Sequence, residues 1–197
     1  MLRSLALLRH REERSDEAIQ ERSGVAPDRR GALPLAMTKV AGLALLMLAS
    51  CSTPQVAPRQ ADFVLVDKSD RTLTLFRHGE ELKTYTGLQL GGAPVGHKHF
   101  EGDGKTPEGR YTIDARNPAS AYHLSLRISY PNAADRAYAA ARGRGPGGDI
   151  FIHGQPNALP IGRVPGDWTD GCIALSNGEI EELWRAVPDG TAIEIRP

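Results

Sequence analysis

The chain has 197 residues, enough for one ordinary domain plus short extras. Lys+Arg and Asp+Glu are equal at 24 each, which argues against nucleic acid as a partner, because phosphate binding needs a concentrated basic surface. Aromatic content is 6 %, whereas Gly (21) and Pro (14) are plentiful, a composition that suits a turn-rich β protein better than a helical bundle.

Residues 1–36 are charged and carry no sustained period. They read either as translation started upstream of Met37, with Arg9 to Gln20 resembling a translated repetitive intergenic element, or as a disordered cytosolic extension. Residues 37–51 have the order of an export signal: Lys39 supplies positive charge, and Val40 to Ala49 form an apolar run too short to span a bilayer. The end of that run, Leu48-Ala49-Ser50-Cys51, resembles a bacterial lipobox, which implies diacylation of Cys51 and a membrane anchor. An ordinary signal peptide or a buried helix is the competing reading. Ser52 in place of Asp after the cysteine resembles diderm lipoproteins sorted to the outer membrane. Residues 52–60, with Pro54 and Pro58, read as a tether.

From Ala61 the pattern becomes period two. Phe63–Val66 and Thr72–Phe76 flank Lys68 to Arg71 as a hairpin, and Lys83–Leu88 is a further strand. A glycine-rich loop from Gly91 to Gly109 leads into a strand at Arg110–Ile113. Tyr122–Ser129, Asp149–Ile152 and Thr191–Ile195 alternate again. Two helices are predicted. One is the Ala-rich stretch 132–141. The other starts at Ser176 with Glu179 at capping-box spacing, and Ile180, Leu183, Trp184 and Val187 share one face. The Gly143 to Gly148 run, with Arg142 and Arg144 beside it, reads as a mobile loop before a strand, the competing reading being a loop that helps to position an anionic peptide. Residues 61–197 therefore form one mainly β domain with a packed helix near its end.

Only Cys51 and Cys172 are present, so no disulfide framework is expected. A thiol with an ordinary pKa of about 8.5 needs a neighbouring base to react near neutral pH. His153, which ends the apolar run Ile150-Phe151-Ile152, is the candidate base for Cys172. Gly171 before the cysteine permits a sharp turn whose N–H groups face a developing oxyanion. By themselves these residues leave the question open: a lone cysteine also reads as a small buried hydrophobe, and the histidine as a turn residue.

Two other features carry no function. Gly104-Lys105-Thr106 lacks the upstream glycine of a P-loop, since position 99 is His, and Pro107 stands where the helix would begin, so no nucleotide is expected. His97 and His99 read as loop residues rather than metal ligands. No cofactor is called for.

The spacing of His153, fifteen residues, Thr169-Asp170-Gly171-Cys172 and then Asn177 resembles the catalytic signature of the YkuD-type L,D-transpeptidases. Thr106-Pro107-Glu108-Gly109 resembles that family's Thr-Pro-x-Gly segment. Ile128 to Asn132 with Asp135 resembles the stretch before its active-site strand. The resemblance implies a YkuD-like β-sandwich or barrel with a short helix after the cysteine. It implies that Cys172 attacks a peptidoglycan stem peptide to give a thioester. His153, oriented by a main-chain carbonyl, serves as base and then acid. Gly171, Asp170, Thr169, Gly154 and Asn177 are implied as oxyanion or substrate-binding positions. The alternatives are an L,D-carboxypeptidase or cross-link hydrolase with water as acceptor, and a non-catalytic wall-binding lipoprotein. Asp170 and Ala174 depart from the family's usual His and Arg, which bears on specificity.

Overall fold

The computed structural model describes residues 59–159 and 161–197; the expected export signal, Cys51 and most of the tether lie outside them. The strands are β1 (Phe63–Asp67), β2 (Thr72–Arg77), β3 (Glu80–Thr86), β4 (Gly109–Asn117), β5 (Ser125–Ile128), β6 (Ile150–His153), β7 (Ile173–Ala174) and β8 (Thr191–Arg196). They make one eight-stranded sheet in the order β3-β2-β1-β8-β4-β5-β6-β7. Among the described residues the helices are α1 (Ala133–Ala140) and α2 (Asn177–Ala186). The expectation of a mainly β fold with a helix after Cys172 holds.

The period-two segments behave as alternation demands, because successive strand residues face opposite sides. Val64 and Val66 of β1, Leu73 and Leu75 of β2, and Ile193 and Ile195 of β8 are buried on one face. The first and last strands lie side by side in parallel, with Val64 beside Ile193 and Val66 beside Ile195. Strand β4 then pairs antiparallel with β8. Each fully buried Leu or Ile contributes about 1.5–3 kcal/mol from water exclusion.

Helix α2 closes the core with Ile180 and Leu183, and Val187 at its C-cap is buried as well. Its capping box forms: Ser176 accepts from the Glu179 N–H while the Glu179 carboxylate accepts from the Ser176 N–H at 2.9 Å. Helix α1 is capped in the same way by Asn132 and Asp135.

Two strand expectations change. Strand β5 is shorter than Tyr122–Ser129, because His123 takes a left-handed φ of 69° and the Tyr122 carbonyl turns to accept from the Gly154 N–H at 3.0 Å. Strand β7 has only two residues, too few to show a period. The Gly143 to Gly148 loop is held at several points. Glu101 N–H donates to the Gly145 carbonyl at 3.0 Å, and the Tyr130 hydroxyl donates to the Pro146 carbonyl at 3.0 Å.

Candidate active site

The end of β6 and the turn into β7 bring the two candidate residues together. The strands run parallel, with Ile152 beside Ile173 and His153 beside Ala174. One step back along this register, Cys172 falls beside Phe151. The Phe151 N–H points at the Cys172 sulfur at 3.4 Å. Laterally aligned residues of parallel strands share a face, and so do residues two apart on one strand. Cys172 and His153 therefore lie on the same face, one diagonal step apart.

The turn carrying Cys172 is tightly specified. Thr169 Oγ1 accepts from the Gly171 N–H at 3.2 Å and donates to the Cys172 carbonyl at 2.8 Å. Thr169 is itself stitched to the segment after β3, donating to Leu90 O and accepting from Gly92 N–H. Gly171 has a φ of 135°, and a Cβ there would stand 2.5 Å from the Lys105 carbonyl oxygen. No other residue fits without displacing backbone. The Lys105 backbone thus packs behind this turn, and that of Gly104 packs against Gly91. The half-buried sulfur lies 3.6 Å from the Asp149 carbonyl, a hydrogen-bond acceptor for the thiol. The Phe151 N–H complements a negative sulfur.

His153 is buried, and its Nδ1 lies 2.7 Å from the Gly154 carbonyl. A carbonyl oxygen only accepts, so Nδ1 carries the proton and Nε2 keeps the lone pair. Burial pushes the imidazole pKa from its ordinary 6.5 down to about 4, against the opposing pull of the Gly154 bond. The ring is neutral at pH 7. Tyr122 and Trp168 wall it, with ring centroids 4.7 and 5.5 Å away, and the buried Trp168 Nε1–H has no hydrogen-bond partner among the described residues.

The other candidates take distinct places. A Cβ on Gly154 would meet Asn177 Oδ1 at 2.7 Å and Tyr122 O at 3.0 Å, and its N–H is shared between Tyr122 O and Leu124 O. Asn177 Oδ1 also accepts from the Gln155 N–H at 2.8 Å, so Asn177 pins the segment after His153. The Gly171 N–H, expected to face an oxyanion, donates to Thr169 instead. Asp170 is exposed at the crest of the turn.

Several supports had no short-range signal in the sequence. Arg71 forms a two-point ion pair with Asp167 at 2.5 and 2.7 Å, and Asp167 also accepts from the Leu90 N–H. The buried amides of Gln89 and Gln155 hold the loop between the two candidate residues through Val164 and Gly166. The contacts of Arg71 and Gln89 join segments far apart in the chain, which no local pattern reports.

His97 accepts from the Glu108 N–H on Nδ1 at 2.8 Å, so its Nε2 carries the proton and donates to Asp135 at 3.1 Å. Among the described residues no group of His, Cys, Asp and Glu could hold a metal ion.

The sheet thus brings a half-buried thiol and a carbonyl-oriented neutral imidazole to one end, at the neighbouring parallel strands β6 and β7. Residues 61–195 match the L,D-transpeptidase catalytic domain model, and the chain belongs to that family, which acts on peptidoglycan peptides. It is 30 % identical over 131 residues to YafK of Escherichia coli, assigned by name to the L,D-transpeptidases; the match covers 64 % of this chain and 46 % of YafK. Among solved structures it is similar to the helical cell shape determining protein Pgp2 of Campylobacter jejuni, at 30 % identity and a TM-score of 0.56, over 70 % of this chain and 48 % of Pgp2. The chain thus matches about half the length of these relatives.

Proposed function

We propose that the protein is an L,D-transpeptidase of the cell envelope, with Cys172 as nucleophile and His153 as its base. The observation that carries the reading is the imidazole's state: neutral, with Nδ1 held by the Gly154 carbonyl and the lone pair left on Nε2. That is the protonation state a general base needs. The thiol proton passes to Nε2 as the sulfur attacks the carbonyl of an L-configured centre in a stem peptide. The collapsing tetrahedral intermediate expels the terminal D-residue, whose amine takes the proton back from the imidazolium. The thioester then passes to an amine, a neighbouring diamino acid or a lipoprotein lysine, and Cys172 is regenerated. Thr169 and Gly171 shape the nucleophile's turn, Asn177 and Gly154 hold the base, and exposed Asp170 faces the incoming chain.

In this reading Cys51 is lipidated and the domain works in the periplasm, tethered to the outer membrane, where cross-linking affects cell shape. The lipobox order of residues 48–51 supports it. Intact mass after incubation with a carbapenem tests the nucleophile. A single covalent adduct is expected on the wild type and none on Cys172→Ala; an adduct that persists in the variant moves the nucleophile elsewhere. Chromatography of digested tetrapeptide stems should show dimers, whereas shortened stems alone would make water the acceptor. N-terminal mass analysis of the membrane fraction should find a chain beginning at acylated Cys51.

A further inference from the structure

A second cluster of chemistry stands on the chain segments that lead into the nucleophile's turn and takes no part in the mechanism above. Where α1 ends, the chain doubles back through hydrogen bonds from the Arg142 and Arg144 N–H groups to the Ala139 carbonyl. The Arg142 guanidinium sits 3.5 Å above the Tyr138 ring, and that of Arg144 sits 3.9 Å above Phe100. His99 bridges the two rings, stacked on Tyr138 at 4.1 Å and tilted to Phe100 at 6.0 Å. Both arginines are exposed, and neither has a carboxylate within ion-pair distance among the described residues.

Seating a guanidinium on a ring uses its face and leaves its N–H edge pointing outward. Arg142 spends one edge donor on the Tyr138 carbonyl at 3.2 Å, and the rest remain. An edge of this kind matches a carboxylate through paired, charge-assisted hydrogen bonds, with its rotamer freedom already restricted. The buried Nδ1 of His99, in the same cluster, has no hydrogen-bond partner among the described residues. The cluster is tied to the nucleophile on two sides. The loop carrying Arg144 runs on to Asp149, whose carbonyl is 3.6 Å from the Cys172 sulfur. The segment carrying His99 and Phe100 runs on to Lys105, whose carbonyl abuts Gly171.

We propose that Arg142 and Arg144, seated on Tyr138 and Phe100, form a subsite for the free carboxylates of the peptide that reaches Cys172. The proposal rests on the peptide-substrate reading above. Calorimetry on the full chain carrying Cys172→Ala tests it, with two probes: a muropeptide stem with free side carboxylates, and the same stem with those carboxylates amidated. Adding Arg142→Gln and Arg144→Gln should weaken the acidic stem by about tenfold or more and leave the amidated stem unchanged. Arg142→Lys should recover part of the loss, since the charge returns without the fork. Alkylation of Cys172 by neutral iodoacetamide, in chains that keep the thiol, should proceed at the same rate with and without the arginines.

If the parent binds both stems equally, or the arginine variants bind the acidic stem as the parent does, the subsite is overturned and the peptide reading stands. If the alkylation rate falls in step with binding, the arginines only hold the nucleophile's turn, and the subsite is again overturned. A parent that binds neither stem overturns both.

Discussion

The sheet has two unlike ends. Around β1, β2, β8 and β4 the ladders run through five residue pairs at each join, with alternate side chains buried and no glycine needed inside the strands except at the start of β4. Around β6 and β7 the ladder shrinks to two pairs, and the chain between them is a loop held by side chains. The regular end gains its stability from apolar burial spread over many residues, so no single position is indispensable. The irregular end fixes Cys172 and His153 through individual hydrogen bonds. Regular pairing tolerates variation, whereas a reactive constellation needs a few contacts that no neighbour can replace.

The largest effect that tests this contrast is on chemistry. Cys172→Ala should lower turnover by at least about 10³-fold, with unfolding free energy changed by less than about 1 kcal/mol. Equal rates measured on purified stem peptides would remove the chemistry from this end altogether.

Gly171→Ala and Leu73→Ala form the next pair. The first puts a methyl group against the Lys105 carbonyl at a φ of 135°, and should cost about 3 kcal/mol or more as well as most of the carbapenem acylation rate. The second empties a fully buried site in β2 and should cost about 2–5 kcal/mol, with acylation intact at a temperature where the variant is folded. Denaturant titration and acylation kinetics on both variants decide the matter. A loss of acylation in Leu73→Ala as large as in Gly171→Ala would break the division between the two ends.

A third test is pH. His153 is held neutral in the fold, with its pKa lowered to about 4 from 6.5. Between those values the unfolded chain binds more protons than the folded one, so stability rises with pH there and is lost as pH falls from 6.5 to 4. The imidazole's share of that loss is about 3 kcal/mol. Unfolding titrations across this window should fall less steeply for His153→Gln than for the wild type. Identical slopes would mean that the ring is not held dry.

The smallest effect belongs to the regular end's surface. Lys83 pairs with Glu182 across exposed side chains, and Lys83→Ala should change stability by less than about 0.5 kcal/mol and leave acylation unchanged. A larger shift in melting temperature would show that the surface of this end matters more than its core argues.

Much of this was legible in the chain. Hairpin β1–β2 was readable because its alternation is local, and α2 because Ser176, Glu179 and the Ile180/Leu183 stripe lie within three turns. The candidate pair was readable from the spacing between His153 and Cys172. Strand β7 was not, since two residues have no period. Nor was the role of Thr169, whose hydroxyl holds the Gly171 N–H. Tyr122 and Trp168 carried no signal as the walls of His153, because they are separated by most of the domain's second half.

What the sequence determined by itself was the local order: which segments alternate, where helices begin, and which two residues have matching chemistry. These depend on neighbours a few residues apart, and such contacts are written into short patterns. What only the tertiary structure decided was the state of the site. The parallel register that sets Cys172 beside Phe151, the carbonyl that fixes the His153 tautomer, and the burial that keeps the ring neutral all depend on packing. Those contacts join residues far apart in the chain, and their energies arise from excluding water when distant segments meet.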